Sequence, residues 1–249
     1  RPTGFILALV LGLACSTSNA VGQEQVRLPS VDEVLNNFSE ALGGEMAIAG
    51  MSEVQFKGSF SGQTSGELEV KYKDGKYVFT YTLEGVGRVQ QGFDGKNWWR
   101  SLPGKEKEAM VGEEAAMARQ FAICTPQFLN WREFDGTIEV VERTEMRGKD
   151  VWRLTFIDKD DVTKDRYFDR EAGLLVVASL RESHPVSSTT LYKFEDFEGV
   201  LWPTRITSES RINGAAESIT TVIEFTEFDF DVQLDDDEFT MASALDSDN

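Results

Sequence analysis

Lys73-Asp74-Gly75-Lys76, set between Leu68-Glu-Val-Lys-Tyr72 and Tyr77-Val-Phe-Thr-Tyr-Thr-Leu83, decides the fold. The Asp-Gly pair supplies the positive φ that a tight hairpin turn demands, and the flanking runs alternate with the period of two of half-buried strands. The same grammar recurs at Phe93-Asp94-Gly95-Lys96, at Phe168-Asp169-Arg170-Glu171-Ala172-Gly173 and at Phe197-Glu198-Gly199-Val200. Each turn sits between runs rich in aromatic and β-branched residues. The pattern predicts an antiparallel meander with Phe, Tyr and Trp along its inner face.

Outward from that turn, Val54, Phe56, Gly58 and Phe60 alternate with Gln55, Lys57 and Ser59, and Tyr77, Phe79, Tyr81 and Leu83 share one face. Gly85 to Phe93 continues the meander and Trp98-Trp99-Arg100 starts a return, so residues 52–100 read as five strands. Strands resume over 137–230, giving about eleven to twelve in all. Before them, Ser30-Val-Asp-Glu33 is a capping box. Val31, Val34, Leu35, Phe38, Ala41 and Leu42 then form one apolar stripe, and Gly43-Gly44 stops the helix predicted over 31–42. That helix is expected to pack on the sheet that follows it. Residues 103–135 lack alternation. Gly112 to Phe121 reads as a short helix, with acids first and Arg119 late, and Phe128, Leu129 and Trp131 follow at helical spacing. So long an excursion inside a meander is either a lid over an opening or a helical layer that closes the core. The tail, 234–249, is acidic and reads as ending loose.

The first twenty residues read as an export signal. Phe5 to Ala14 is apolar but shorter than the roughly 20 residues a bilayer span takes, and Ser18-Asn19-Ala20 offers a cleavage site. Cleavage there leaves 21–249 as a single domain. Gly12-Leu13-Ala14-Cys15 offers a second reading, a lipid anchor on Cys15. No later segment is long and apolar enough for a transmembrane helix.

With 43 acidic against 25 basic residues, and a net charge of −18, the chain lacks the footprint of a nucleic-acid or anionic-surface binder. Catalytic constellations are equally hard to build. His184, the single histidine, precedes a proline in a turn, and Cys124 reads as a small buried residue. Asp158, Asp160, Asp161 and Asp165 lack the glycine and distal glutamate of a calcium loop and read as a solvated hairpin, as does Asp235-Asp-Asp-Glu238. No glycine pattern opens a helix to cradle phosphate. No metal or cofactor is expected. What remains is aromatic: Phe79, Tyr81, Trp98, Trp99, Trp152, Phe156, Tyr192 and Phe194 are either an ordinary core or the wall of a hollow, and large curved sheets tend to enclose one. Trp98 and Trp99 are adjacent on one strand, so one of them is expected to face inward.

Several stretches together resemble a known family. They are Ala41-Leu42-Gly43-Gly44, the strand with Gly58, Phe93-Asp-Gly-Lys-Asn-Trp98-Trp99, Tyr167-Phe-Asp-Arg-Glu-Ala-Gly-Leu-Leu175 and Phe197-Glu-Gly-Val-Leu-Trp-Pro203. They resemble exported bacterial proteins of the LolA/LolB-like superfamily, which includes the outer-membrane lipoprotein-sorting carriers. The resemblance implies an incomplete antiparallel β-barrel wrapped over helices, whose hollow takes acyl chains of lipids or lipoproteins without catalysis. Phe79, Tyr81, Arg88, Trp98, Trp99, Phe121, Trp152 and Phe156 are then the expected ligand-lining residues. Arg88 is the expected counterpart of the arginine that helps hold the carriers' helical lid. The competing function class on the same fold is an envelope sensor or interaction domain with a protein partner.

Overall fold

The computed structural model describes residues 27–44, 52–112, 115, 118, 131–134, 136–158, 163–180, 186–197, 199–212 and 217–241. Residues 1–26, with the expected export signal and Cys15, and Phe121, Cys124 and His184, lie outside the described residues.

The chain opens with helix α1 (Val31–Ala41). Strands β1 (Glu53–Ser61), β2 (Gly66–Lys73), β3 (Lys76–Leu83), β4 (Gly87–Phe93), β5 (Trp98–Ser101) and β6 (Glu108–Ala109) follow. After a 3-10 turn at Trp131–Glu133 come β7 (Gly136–Met146), β8 (Lys149–Asp158), β9 (Thr163–Asp169), β10 (Leu175–Leu180), β11 (Val186–Phe197), β12 (Val200–Ile212) and β13 (Ile219–Asp229). A short helix, α2 (Asp236–Phe239), ends the described chain. The strands form one 13-stranded antiparallel sheet ordered β6-β5-β4-β3-β2-β1-β13-β12-β11-β10-β9-β8-β7. Meander order thus runs outward in both directions from the β1–β13 pair. The two edges are β6 and β7, which are consecutive in sequence and not paired with each other, so the sheet is an incomplete barrel. Residues 110–135 are the covalent link from one edge to the other.

The thirteenth strand, beyond the expected eleven or twelve, is β6. It lies inside the excursion read as free of strands, where Glu108 pairs with Arg100 of β5 in register and as an ion pair. The four turns that predicted the meander all lie at one end of the sheet, which alternation of strand direction makes the turn end. Asp74 and Gly75 take φ of 46° and 82°, the left-handed pair of a type I′ turn. A fifth turn there, Arg147-Gly148 with φ of 52° and 76°, has the same backbone without the acidic residue. The β1–β2, β3–β4, β5–β6, β8–β9, β10–β11 and β12–β13 connections form the opposite, loop end.

Curvature is built in where the two halves of the sheet meet. The β1–β13 register shifts between Lys57 and Gly58, and a Cβ on Gly58 would lie 2.0 Å from the carbonyl oxygen of Glu224. Only glycine lets the strands close to that distance, and the bulge bends the sheet there.

Helix α1 is capped as its sequence demands. Ser30 Oγ accepts from the Glu33 amide at 3.1 Å and the Glu33 carboxylate accepts from the Ser30 amide at 2.6 Å. The helix packs on the sheet, as expected, but not on the strands that follow it directly. Val34, Leu35, Phe38 and Leu42 pack on Leu154, Phe156, Phe168 and Leu175 of β8–β10, more than a hundred residues further along. The β9–β10 turn makes this approach possible: a Cβ on Gly173 would meet the Asn37 carbonyl oxygen at 2.8 Å. Trp131 closes the layer, donating its Nε1–H to Asp32 at 3.2 Å.

The tail is not loose through its first part. Leu234 and Phe239, 5% and 0% exposed, clamp with Val78 and Trp99 on the outer face of the sheet. Trp99 Nε1 donates to the Phe239 carbonyl at 2.7 Å, and Leu234 N donates to Glu53 at 2.7 Å. Lys73 and Lys76 pair with Asp236, Lys71 pairs with Glu238, and Lys107 donates to the Glu238 and Thr240 carbonyls. The acids that read as a solvated run are therefore the charged rim of a docked strap.

Candidate functional site

The candidate site is the concave face of the sheet. Strand alternation sends Tyr77, Phe79 and Tyr81 of β3 to one face and Val78 and Thr80 to the other, and cross-strand partners follow them in register. Trp98 joins the inner set, at 4.9 Å from Tyr77 and 5.3 Å from Phe93 between ring centroids. Trp99 is the outward one. It is wholly buried, but beneath the C-terminal strap and over Gly92, whose absent Cβ would sit 2.4 Å from the indole. Trp99 therefore does not line the interior. Arg88 does not either: it is exposed and pairs with Thr82 on the outer face. The meander's period places Arg88 outside as soon as Tyr81 and Val89 are placed inside.

The inner aromatics fall into two clusters. The first, from β1–β5 and β12–β13, holds Val54, Phe56, Phe79, Trp98, Trp202 and Phe225, with Phe60 and Tyr81 partly buried against it. Ala115 and Ala118, described residues of the excursion, are buried in it. The second is the α1 layer, with Leu154 and Phe156 buried and Trp152 partly buried against it. Trp152 is covered at the turn end by the Arg170 guanidinium, 4.7 Å from its ring. Among the described residues, Tyr192 is the one side chain that packs on both clusters. Burial is graded along the axis. At the turn end Val54, Phe56 and Tyr77 are at most 1% exposed. At the loop end Phe60, Tyr81, Leu83 and Ile223 are only half-buried, and Val86 and Leu102 stand exposed on the loops.

Polar groups within this face were missed in the sequence. Arg166 of β9 lies in register with Leu154 and Ala178, is 4% exposed, and faces the Phe156 ring at 5.9 Å. Burial pushes its guanidinium pKa down, with the nearby Tyr192 and Asp165 opposing. Asp165, next to it, points to the other face and accepts from Thr155 at 2.6 Å, so it is no part of a solvated turn. The only signal in the sequence was the alternation Lys164-Asp-Arg166-Tyr-Phe168, which puts Arg166 on the same face as Phe168. Trp202, stacked on Phe56 at 4.8 Å, keeps its Nε1–H buried with no hydrogen-bond partner among the described residues.

No family model matches the sequence, and no curated relative does. Solved structures match its fold. A LolA superfamily protein from Nitrosomonas europaea superposes with a TM-score of 0.59 at 14% identity, over 86% of this chain and 98% of its own. A DUF1329 family protein from Desulfovibrio piger gives 0.61 at 11% identity, over 86% and 98%. A domain from Vibrio parahaemolyticus, described as an outer membrane lipoprotein-sorting protein domain, gives 0.54 at 11%, over 84% and 97%. The chain has a LolA-like fold.

Proposed function

We propose that this protein is an exported, non-catalytic binding protein that holds the acyl chains of a lipid or lipoprotein against the inner face of its open sheet. The observation that carries this reading is the divided interior. A domain of this size ordinarily has one contiguous core, whereas here there are two apolar clusters with Tyr192 alone in common among the described residues. The half-buried aromatics at the loop end supply an apolar entrance, and Val86 and Leu102 supply an apolar rim. The lipoprotein-sorting description of the Vibrio parahaemolyticus domain, which has the same fold, agrees with it.

Phe79, Tyr81, Trp98, Trp152 and Phe156 are the ligand-lining residues in this proposal. A chain of about 14 methylenes, at roughly 0.8 kcal/mol each, gains about 11 kcal/mol on burial. Immobilising it costs several kcal/mol of that, which leaves about −8 kcal/mol, a micromolar affinity. The test is titration of delipidated protein with oleate and a lysophospholipid, following tryptophan emission. A saturable shift that Trp98→Phe removes, while Trp99→Phe leaves it, supports the reading. No saturable response to any acyl ligand up to its solubility limit overturns it.

A further inference from the structure

The edge of the open sheet at β5–β6 is slight. β6 joins β5 by two register pairs, Trp99 with Ala109 and Arg100 with Glu108. One further bond runs from the Met110 amide to the Trp98 carbonyl at 2.8 Å. So short a pair holds itself poorly in water. The C-terminal strap stands behind it. Trp99 Nε1 donates to the Phe239 carbonyl. The Lys107 ammonium, one residue before β6, donates to the Glu238 and Thr240 carbonyls at 3.1 and 2.6 Å. It also lies 4.1 Å from the centre of the Trp99 ring. Residues 238, 239 and 240 in succession thus hold β5 and the approach to β6.

The same edge leads to the inner face. Trp98, the neighbour of Trp99, is buried in the first cluster beside Tyr77 and Phe93. Met110 packs against that cluster, and Ala115 and Ala118 are buried in it. A shift of β5–β6 therefore carries Trp98 and Met110 with it, because adjacent residues of one strand serve the two faces. The strap is the part most easily released. It belongs to no strand ladder, and its buried side chains are Leu234 and Phe239. Its other ties include the ion pairs Lys71–Glu238, Lys73–Asp236 and Lys76–Asp236. Pairs of this kind contribute little each and weaken with salt. Segments held in this way open ahead of paired strands.

We propose that the C-terminal strap is a latch on the open edge of the barrel. Docked, it fixes β5–β6 and, through them, Trp98 and Met110 against the inner cluster. Released, it frees that edge and exposes the Tyr77–Phe93–Trp98 end of the aromatic face. The latch goes beyond the carrier reading and does not rest on it, since it controls access to the inner face whatever that face binds.

The test is amide hydrogen exchange on the full-length chain, followed in peptides from 98–112, from 232–241 and from β11 and β12. Lys107→Met keeps the aliphatic stem and removes the bonds to the strap carbonyls. It should speed exchange about tenfold in both 98–112 and 232–241, the scale of one charge-assisted hydrogen bond, with β11 and β12 at parent rates. Glu108→Ala weakens the edge from its own side, through the lost pair with Arg100. Coupling is reciprocal, so exchange in 232–241 should rise about two- to fivefold, the scale of an exposed ion pair. This second variant carries the test should Lys107→Met fail to fold. Parent rates at 98–112 in Lys107→Met overturn the latch. An equal rise in β11 and β12 overturns it too, because the whole fold and not one edge has then loosened. So does a strap that exchanges at parent rates in Glu108→Ala.

Discussion

Replacing Phe239 by alanine tests whether the C-terminal strap belongs to the folded core. The ring is wholly buried against Val78 and Trp99, and Leu234 anchors the other end of the strap at 5% exposed. Alanine keeps the carbonyl that accepts from Trp99 Nε1, so the loss is confined to the phenyl group and the cavity it leaves. Truncations of this kind cost about 3–5 kcal/mol in closed cores. The strap lies at the surface and can settle into the space, so the lower value, about 3 kcal/mol, applies. For a domain of this size each kcal/mol moves the midpoint by about 2–4 °C, which places the expected fall in Tm at roughly 6–12 °C. Calorimetry gives the midpoint, and urea unfolding gives the free energy with an unchanged slope. Trp99 is wholly buried in the parent, so its emission should also move to the red. A change below about 0.5 kcal/mol, the level of an ordinary surface substitution, would refute the reasoning and return the tail to the loose state its composition suggests.

Acid should release the same strap. Asp236 is held below the ordinary carboxylate range by its hydrogen bond from Lys76 and the charge of Lys73, and Glu53 by the Leu234 amide that it accepts. Groups depressed in the folded state contribute stability that is present above the unfolded value, about 4, and lost as the pH falls through the folded one. Trp99 emission followed downward from pH 5 should therefore shift to the red. The shift should flatten in the Glu53→Gln, Asp236→Asn double variant, and an unaltered profile would dismiss these two groups. Gly92→Ala should drive the Trp99 indole from its seat and cost about 1–3 kcal/mol as overpacking, read from the urea midpoint; an unchanged midpoint would mean that the strand gives way freely. Ser30→Ala should cost about 1 kcal/mol through loss of the α1 cap, and a parent-like unfolding curve would show the helix held by Phe38 and Leu35 alone.

The meander was legible because turn chemistry and period-two alternation are local. Asp74-Gly75 and the strands on each side of it could be placed from a dozen residues, and so could the capping box at Ser30. The partner of α1 could not, because its apolar stripe fits any apolar surface. The surface it found, Leu154 to Leu175, is presented by strands far along the chain. Trp98 and Trp99 could be assigned to opposite faces from their adjacency, but which one faced inward depended on the strap that covers Val78, and that strap is an acidic run with two apolar anchors. Arg166 escaped notice for the same reason. One arginine in an alternating strand looks like a solvated residue until the helix and the neighbouring strands close around its face. Arg88 was the opposite error, a place assigned by likeness that the strand's own alternation denies.

The pairing of β1 with β13 has a consequence for the order in which the molecule can be made. Of the two strands that join its halves, one is near the start of the chain and the other near its end. Each half can form its hairpins as it emerges, since those contacts are local, but the bulge at Gly58 has no partner until Phe225 arrives. Until then the first half exposes an aromatic face and one unpaired edge of β1, the condition in which β proteins associate with the wrong neighbour. High contact order makes the closing step slow on the scale of hairpin formation. A chain delivered end first across a membrane would spend that interval half-assembled. Its final strand, rather than any turn or helix, would then set how long it depends on the company of chaperones.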